Sequence, residues 1–125
     1  MKKIINTSQA PAPIGPYSQA VKVGNTLYVS GQVAINPATG DLVLDTIAIE
    51  TKQVMENLKA VLTEGGVTFD NVVMTTIFLA DMGSFAAVNE VYGSYFTTDF
   101  PARATVAVKT LPKNVNVEIA VIAHI

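Results

Sequence analysis

Two hydrophobic periods divide the chain. Residues 17–23 and 26–30 alternate at strand spacing on either side of Gly24-Asn25, which reads as a β-hairpin by turn chemistry. Asn36-Pro37-Ala38-Thr39-Gly40 is a second turn. From residue 45 to residue 64 the period becomes helical. Ile47, Thr51, Val54, Leu58, Val61 and Leu62 recur at threes and fours, with Glu50, Glu56 and Lys59 off that stripe. Asp45 is the expected N-cap, and Gly65-Gly66 supplies the stop. Residues 71–80 are apolar on both faces, which predicts a buried central strand. Ser84 should cap a second helix through Phe96, turning Phe85, Val88, Tyr92 and Tyr95 or Phe96 inward. Residues 103–109 and 115–123 alternate again, and Leu111-Pro112-Lys113-Asn114 between them suggests a closing hairpin. Ahead of all this, residues 9–16 carry three prolines and one glycine, an ordered but irregular arm.

The predicted order ββαβαββ is an α+β sandwich, two helices in one layer over a mostly antiparallel sheet. One helical layer protects one sheet face. Apolar groups on the other face would have to be covered by another subunit.

Composition sharpens this picture. The 125 residues make one domain, 1–125, and a hydrophobic fraction of 50% excludes disorder. Charged residues are only 14%, against roughly 25% in a typical soluble protein, so a homo-oligomer is expected. A net charge of −2 and a pI near 5.2 argue against nucleic acid as a partner. No apolar run approaches membrane-helix or signal-peptide length, so the expected location is the cytoplasm, away from membranes. Without cysteine there is no disulfide, thiolate nucleophile or Cys-ligated metal, and the single histidine, His124, cannot build a His-rich metal site.

A few residues remain as candidates for chemistry. Arg103 is the only arginine beside seven lysines. Its planar fork suits a carboxylate or phosphate, although a strand-end ion pair would also account for it. Glu118 lies mid-strand among small or apolar neighbours, sharing a face with Asn116, Ala120 and Ile122, where a carboxylate is costly unless paired. If the last hairpin is centred between Leu111 and Pro112, Thr105 opposes Glu118 and Arg103 opposes Ala120, making arginine and glutamate diagonal neighbours. A structural ion pair and a site are both compatible with that register. Tyr17, after Gly15-Pro16, can offer a phenol to a ligand or simply pack. Gly31 interrupts a strand and marks a bulge or a close backbone approach. Lys109 and Lys113 read as solvated, and His124 as a strand-end residue without a chemical role.

At these residues the sequence resembles the RidA/YjgF family of reactive-imine deaminases. The stretches that carry the likeness are residues 12–20, Ala-Pro-Ile-Gly-Pro-Tyr-Ser-Gln-Ala, and residues 27–32, Leu-Tyr-Val-Ser-Gly-Gln. Asn36–Gly40, residues 76–82, Phe100-Pro101-Ala102-Arg103, Leu111-Pro112-Lys113 and residues 117–123 extend it along essentially the whole chain. The resemblance implies a chorismate-mutase-like fold assembled as a homotrimer around a central barrel, with clefts between subunits. It also implies hydrolysis of 2-imino acids such as 2-iminopropanoate and 2-iminobutanoate to 2-oxo acids and ammonia, without metal or cofactor. By the same likeness Arg103 would hold the substrate carboxylate, Glu118 the water, and Tyr17 the cleft wall. Gly31 and Thr105 would contribute to substrate binding. Thr105 stands where many members have cysteine, and Ala120 where some carry a second acid. These departures leave open the alternative of a non-catalytic trimer that binds 2-oxo acids. An RNA-directed role has no basic stripe to support it.

Overall fold

A computed structural model describes residues 1–125. The elements are β1 (Lys3–Ile5), β2 (Ala20–Val23), β3 (Thr26–Gln32), α1 (Ile47–Glu64), β4 (Val72–Leu79), α2 (Phe85–Gly93), β5 (Ala102–Ala107) and β6 (Val117–His124). They form a six-stranded sheet in the order β1-β2-β3-β6-β4-β5, with both helices on one face. The α+β class and the single helical layer agree with the sequence reading. The short edge strand β1, paired to β2, adds one element to it. Hairpin β2–β3 turns at Gly24, whose φ of +57° is a conformation that suits glycine.

The predicted closing hairpin does not form. β5 runs parallel to β4, while β6 lies antiparallel between β3 and β4. Arg103 therefore sits beside Thr75, and Thr105 beside Ile77; neither pairs with β6. Strand β4 is enclosed on both sides, as its apolar run implied, but only one of its faces is buried. Thr75, Ile77 and Leu79 point to the helices and are fully buried, whereas Thr76 and Phe78 on the other face stay partly exposed.

The core forms between the sheet and the helices. Val54, Met55, Leu58, Val61 and Leu62 of α1 close over Leu27, Val29, Val117, Ile119 and Val121. Thr46, not Asp45, caps α1; its side chain accepts from the Ile49 N–H at 3.1 Å. At the other end Gly66 takes a φ of +82°, which stops the helix. Glu50 departs from the expected pattern most clearly, for it is fully buried rather than on the solvated side. Helix α2 ends at Gly93, three residues short of Phe96, and the Ser84 side chain makes no capping bond. Tyr95 beyond it donates to Glu56 Oε2 at 2.6 Å and ties the end of α2 to α1. The sheet face away from the helices carries Tyr28 and Val106, large apolar groups left 50% and 43% exposed.

Candidate functional site

Glu118 is the second residue of β6 and points to the face opposite the helices, since its neighbours Val117 and Ile119 are fully buried among them. Strand β3 makes room for it. Between Val29, which pairs with Val121, and Gln32, which pairs with Ile119, β3 has one residue too many for its partner. Ser30 and Gly31 form this bulge, so the sequence reading of Gly31 agrees with the fold. A Cβ on Gly31 would stand 2.8 Å from Glu118 Cδ and 3.0 Å from Cγ, so any side chain there would displace Glu118. The carboxylate thus lies against bare backbone.

Glu118 opens into a cavity of about 360 Å³ that Tyr17, Gly31, Ile14, Ile35 and Lys113 help to line. Partial burial raises the Glu118 carboxyl above its ordinary value. The arm is held in place by Gln19, a fully buried amide. It accepts from the Thr7 N–H at 2.7 Å and donates to the carbonyls of Thr7, Ala10 and Pro11 at 2.9–3.3 Å. Tyr17, just before Gln19 in the chain, stays half-exposed at the mouth. Ser30 fastens β3 to the same segment, its hydroxyl donating to the Ser18 carbonyl at 2.6 Å.

Arg103 is elsewhere. It shares the helix-side face of the sheet with Thr75, two strands away from Glu118 and on the opposite face. Its guanidinium lies 5.5 Å from the Phe85 ring centroid and 5.3 Å from that of Tyr92. One nitrogen donates to Asn89 Oδ1 at 2.7 Å. Tyr92 is itself fixed, its hydroxyl donating to Thr75 Oγ1 at 2.9 Å; burial raises its pKa, against the opposing influence of Thr75 and Arg103. The fork is thus stacked and oriented while the residue remains exposed, and it borders a depression shared with Phe100 and Pro101. Thr105, two residues on, buries its hydroxyl oxygen without a hydrogen-bond partner. The diagonal Arg103–Glu118 contact expected from the hairpin does not exist, because β4 separates the two strands.

Residues 7–125 match the family model described as Endoribonuclease L-PSP. The chain belongs to the RidA/YjgF family. It is 50% identical to the mouse 2-iminobutanoate/2-iminopropanoate deaminase, over 98% of this chain and 91% of that protein. A RutC family protein of Pyrococcus horikoshii is 49% identical, over 99% of this chain and 98% of the relative. Among solved structures, a Rid-family protein of Yersinia pestis superposes with a TM-score of 0.97 at 50% identity, covering all of both chains.

Of the residues that the RidA resemblance singled out, Tyr17, Gly31 and Glu118 line one cavity, and Arg103 and Thr105 lie outside it. Sequence reasoning missed the residues that orient them. Phe85, Asn89 and Tyr92 recur at threes and fours along α2, the spacing of one helix face, and this could have marked them as a cradle for a strand-borne side chain. Lys113 was read as solvated but lines the cavity, and its φ of +58° gives no sequence signal in a residue other than glycine. His124 lies at the far end of β6, with its Nδ1 3.3 Å from Thr26 Oγ1, and takes no part.

Proposed function

We propose that this RidA-family protein hydrolyses 2-imino acids to 2-oxo acids and ammonia. The observation that carries the reading is the Glu118 carboxylate, held against Gly31 in a largely apolar cavity with a phenol at its mouth. Relatives at about half identity bear the name of this activity.

The chemistry asks little beyond orientation. A protonated imine carbon is already electrophilic, so positioning a water and stabilising developing charge provide most of what is required. Glu118 accepts a proton from water as its oxygen bonds to the imine carbon, giving a carbinolamine. The proton then passes to the nitrogen; as the C–N bond breaks and the C=O forms, the freed carboxylate takes the hydroxyl proton and hands it to the departing ammonia, which leaves as ammonium. A carboxyl raised by partial desolvation suits both halves of this transfer. Tyr17 offers a hydrogen bond at the rim. Arg103 is assigned to the substrate carboxylate, which its planar fork can hold at two points.

Arg103 and Glu118 occupy opposite faces of the sheet, so they cannot close on one small substrate within a single chain. The reading therefore includes an oligomer, a trimer by family resemblance, in which Arg103 of one copy faces the Glu118 cavity of the next. The half-exposed groups Tyr28 and Val106 on the open sheet face, and the exposed edge strand β5, are surfaces such an assembly would cover. Thr105 would lie beside the same junction. An RNA-cleaving role, suggested by the family description, fits less well with a net charge of −2 and one arginine.

The test is to generate 2-iminopropanoate in situ and follow its loss with and without the protein. Acceleration by the wild type, lost in Glu118→Gln, supports the reading. No acceleration with several imino acids overturns it and favours a 2-oxo acid binding protein.

A further inference from the structure

The fully buried Glu50 carboxylate has three hydrogen bonds, and all of them reach one short stretch of chain. Oε2 accepts from the backbone N–H of Asn116 at 2.8 Å and of Val117 at 3.0 Å, and Oε1 accepts from Asn116 Nδ2 at 2.8 Å. The residue lies in the first turn of α1, where the helix dipole favours a negative group. The stretch it grips separates two walls of the cavity. Glu118 follows immediately, and before it stand Pro112 and Lys113. Lys113 and Asn114 both adopt left-handed backbone, at φ +58° and +56°, a pair of conformations that needs support from its surroundings. On the other side, the Asn116 carbonyl accepts from the Ala80 N–H at 3.0 Å, so the grip is braced against the end of β4.

We propose that Glu50 is a positioning residue: by holding Asn116 and Val117 it sets where Glu118 and the Pro112–Lys113 wall stand in the cavity. It does not touch the substrate itself. Were Glu50 only a packing element, a well-packed apolar residue would serve as well; instead it satisfies the two backbone donors just ahead of Glu118, which no apolar side chain can do. The catalytic part of this inference rests on the imine-hydrolase reading; the anchoring part does not.

The experiment compares Glu50→Ala, Glu50→Gln and the milder Asn116→Ala, each as the full-length assembled protein, alone and combined with Glu118→Gln. In Glu50→Gln the amide oxygen can still accept from both backbone donors. A turned Asn116 side chain can then accept from the new amide nitrogen, so this variant should recover most activity. Glu50→Ala should lower kcat for 2-iminopropanoate by roughly tenfold or more per folded protein, with KM nearly unchanged, because the water-orienting group is displaced. In the Glu118→Gln background it should cause no further loss. Asn116→Ala, which removes only the side-chain bond, should give an intermediate loss and serves if Glu50→Ala does not fold. A loss that only follows the folded fraction, or one equally large without the Glu118 carboxylate, overturns the proposal. Amide hydrogen exchange provides a readout free of activity. The Asn116 and Val117 amides should exchange faster in Glu50→Ala while the other β4–β6 amides stay protected; unchanged protection in that variant refutes the anchor. If the wild type itself fails to turn over imines, exchange still decides the anchor, and only the function assigned to it falls.

Discussion

Gly31 leaves empty the space that the Glu118 carboxylate fills. The missing Cβ is required by a side chain on the neighbouring strand, for Gly31 has no left-handed φ and its backbone would tolerate alanine. The bulge at Ser30–Gly31 and the carboxylate are therefore one unit. Gly31→Ala should fold normally yet lose about 10- to 100-fold in imine turnover, the loss expected when a water-orienting group is displaced by about an ångström. Steady-state kinetics alongside thermal melts would separate the two effects.

Glu118 also links function to stability. Desolvation raises its carboxyl in the folded state, so the folded chain binds that proton more tightly than the unfolded chain. Its contribution is neutral below the ordinary carboxylate range and becomes unfavourable as pH rises through the interval up to the raised value. Glu118→Gln should accordingly be more stable than wild type at neutral pH, and the gain should vanish on acidification. Urea midpoints across a pH series would show it, while turnover at neutral pH should fall about 100-fold or more.

Arg103 is oriented by stacking and by one hydrogen bond, and lysine can reproduce neither the plane nor the fork. Arg103→Lys should raise KM for imino acids by roughly tenfold, the scale of one lost charge-assisted hydrogen bond. Asn89→Ala should weaken binding less, because the two rings still hold the guanidinium. Saturation curves for both variants would rank them.

Thr105 buries a hydroxyl with no partner. Thr105→Val has nearly the same shape and keeps a β-branched residue in the strand, so it should stabilise the protein by about 1 kcal/mol. Denaturant titration reads this directly.

Much of the fold was legible because it is written in local pattern: the β2–β3 turn at Gly24-Asn25, the α1 stripe ending at Gly65-Gly66, and the alternation of β6. The pairing of β5 was not. Alternation says which side chains share a face, but it does not say which strand lies alongside, and a parallel partner is distant in sequence. The double-faced apolar run of β4 was the available clue, since a strand enclosed on both sides needs two neighbours. Glu50 was hidden differently. Its position three residues after Ile47 and four before Val54 fits the buried stripe, and only its charge moved it to the solvated side. Glu118, Gly31 and Tyr17 were found individually, whereas their meeting depends on a bulge that sequence could only suggest.

The most direct test of a site shared between copies is complementation. Arg103→Ala and Glu118→Gln are each assayed on in-situ 2-iminopropanoate, then unfolded together, refolded at equal amounts and assayed again. If each cleft takes Arg103 from one copy and Glu118 from the next, random mixing restores both in roughly a quarter of the clefts, with activity to match. Mixed assemblies no more active than the two parents would contradict the shared site, and a wild type that leaves the imine untouched would contradict the proposed reaction itself.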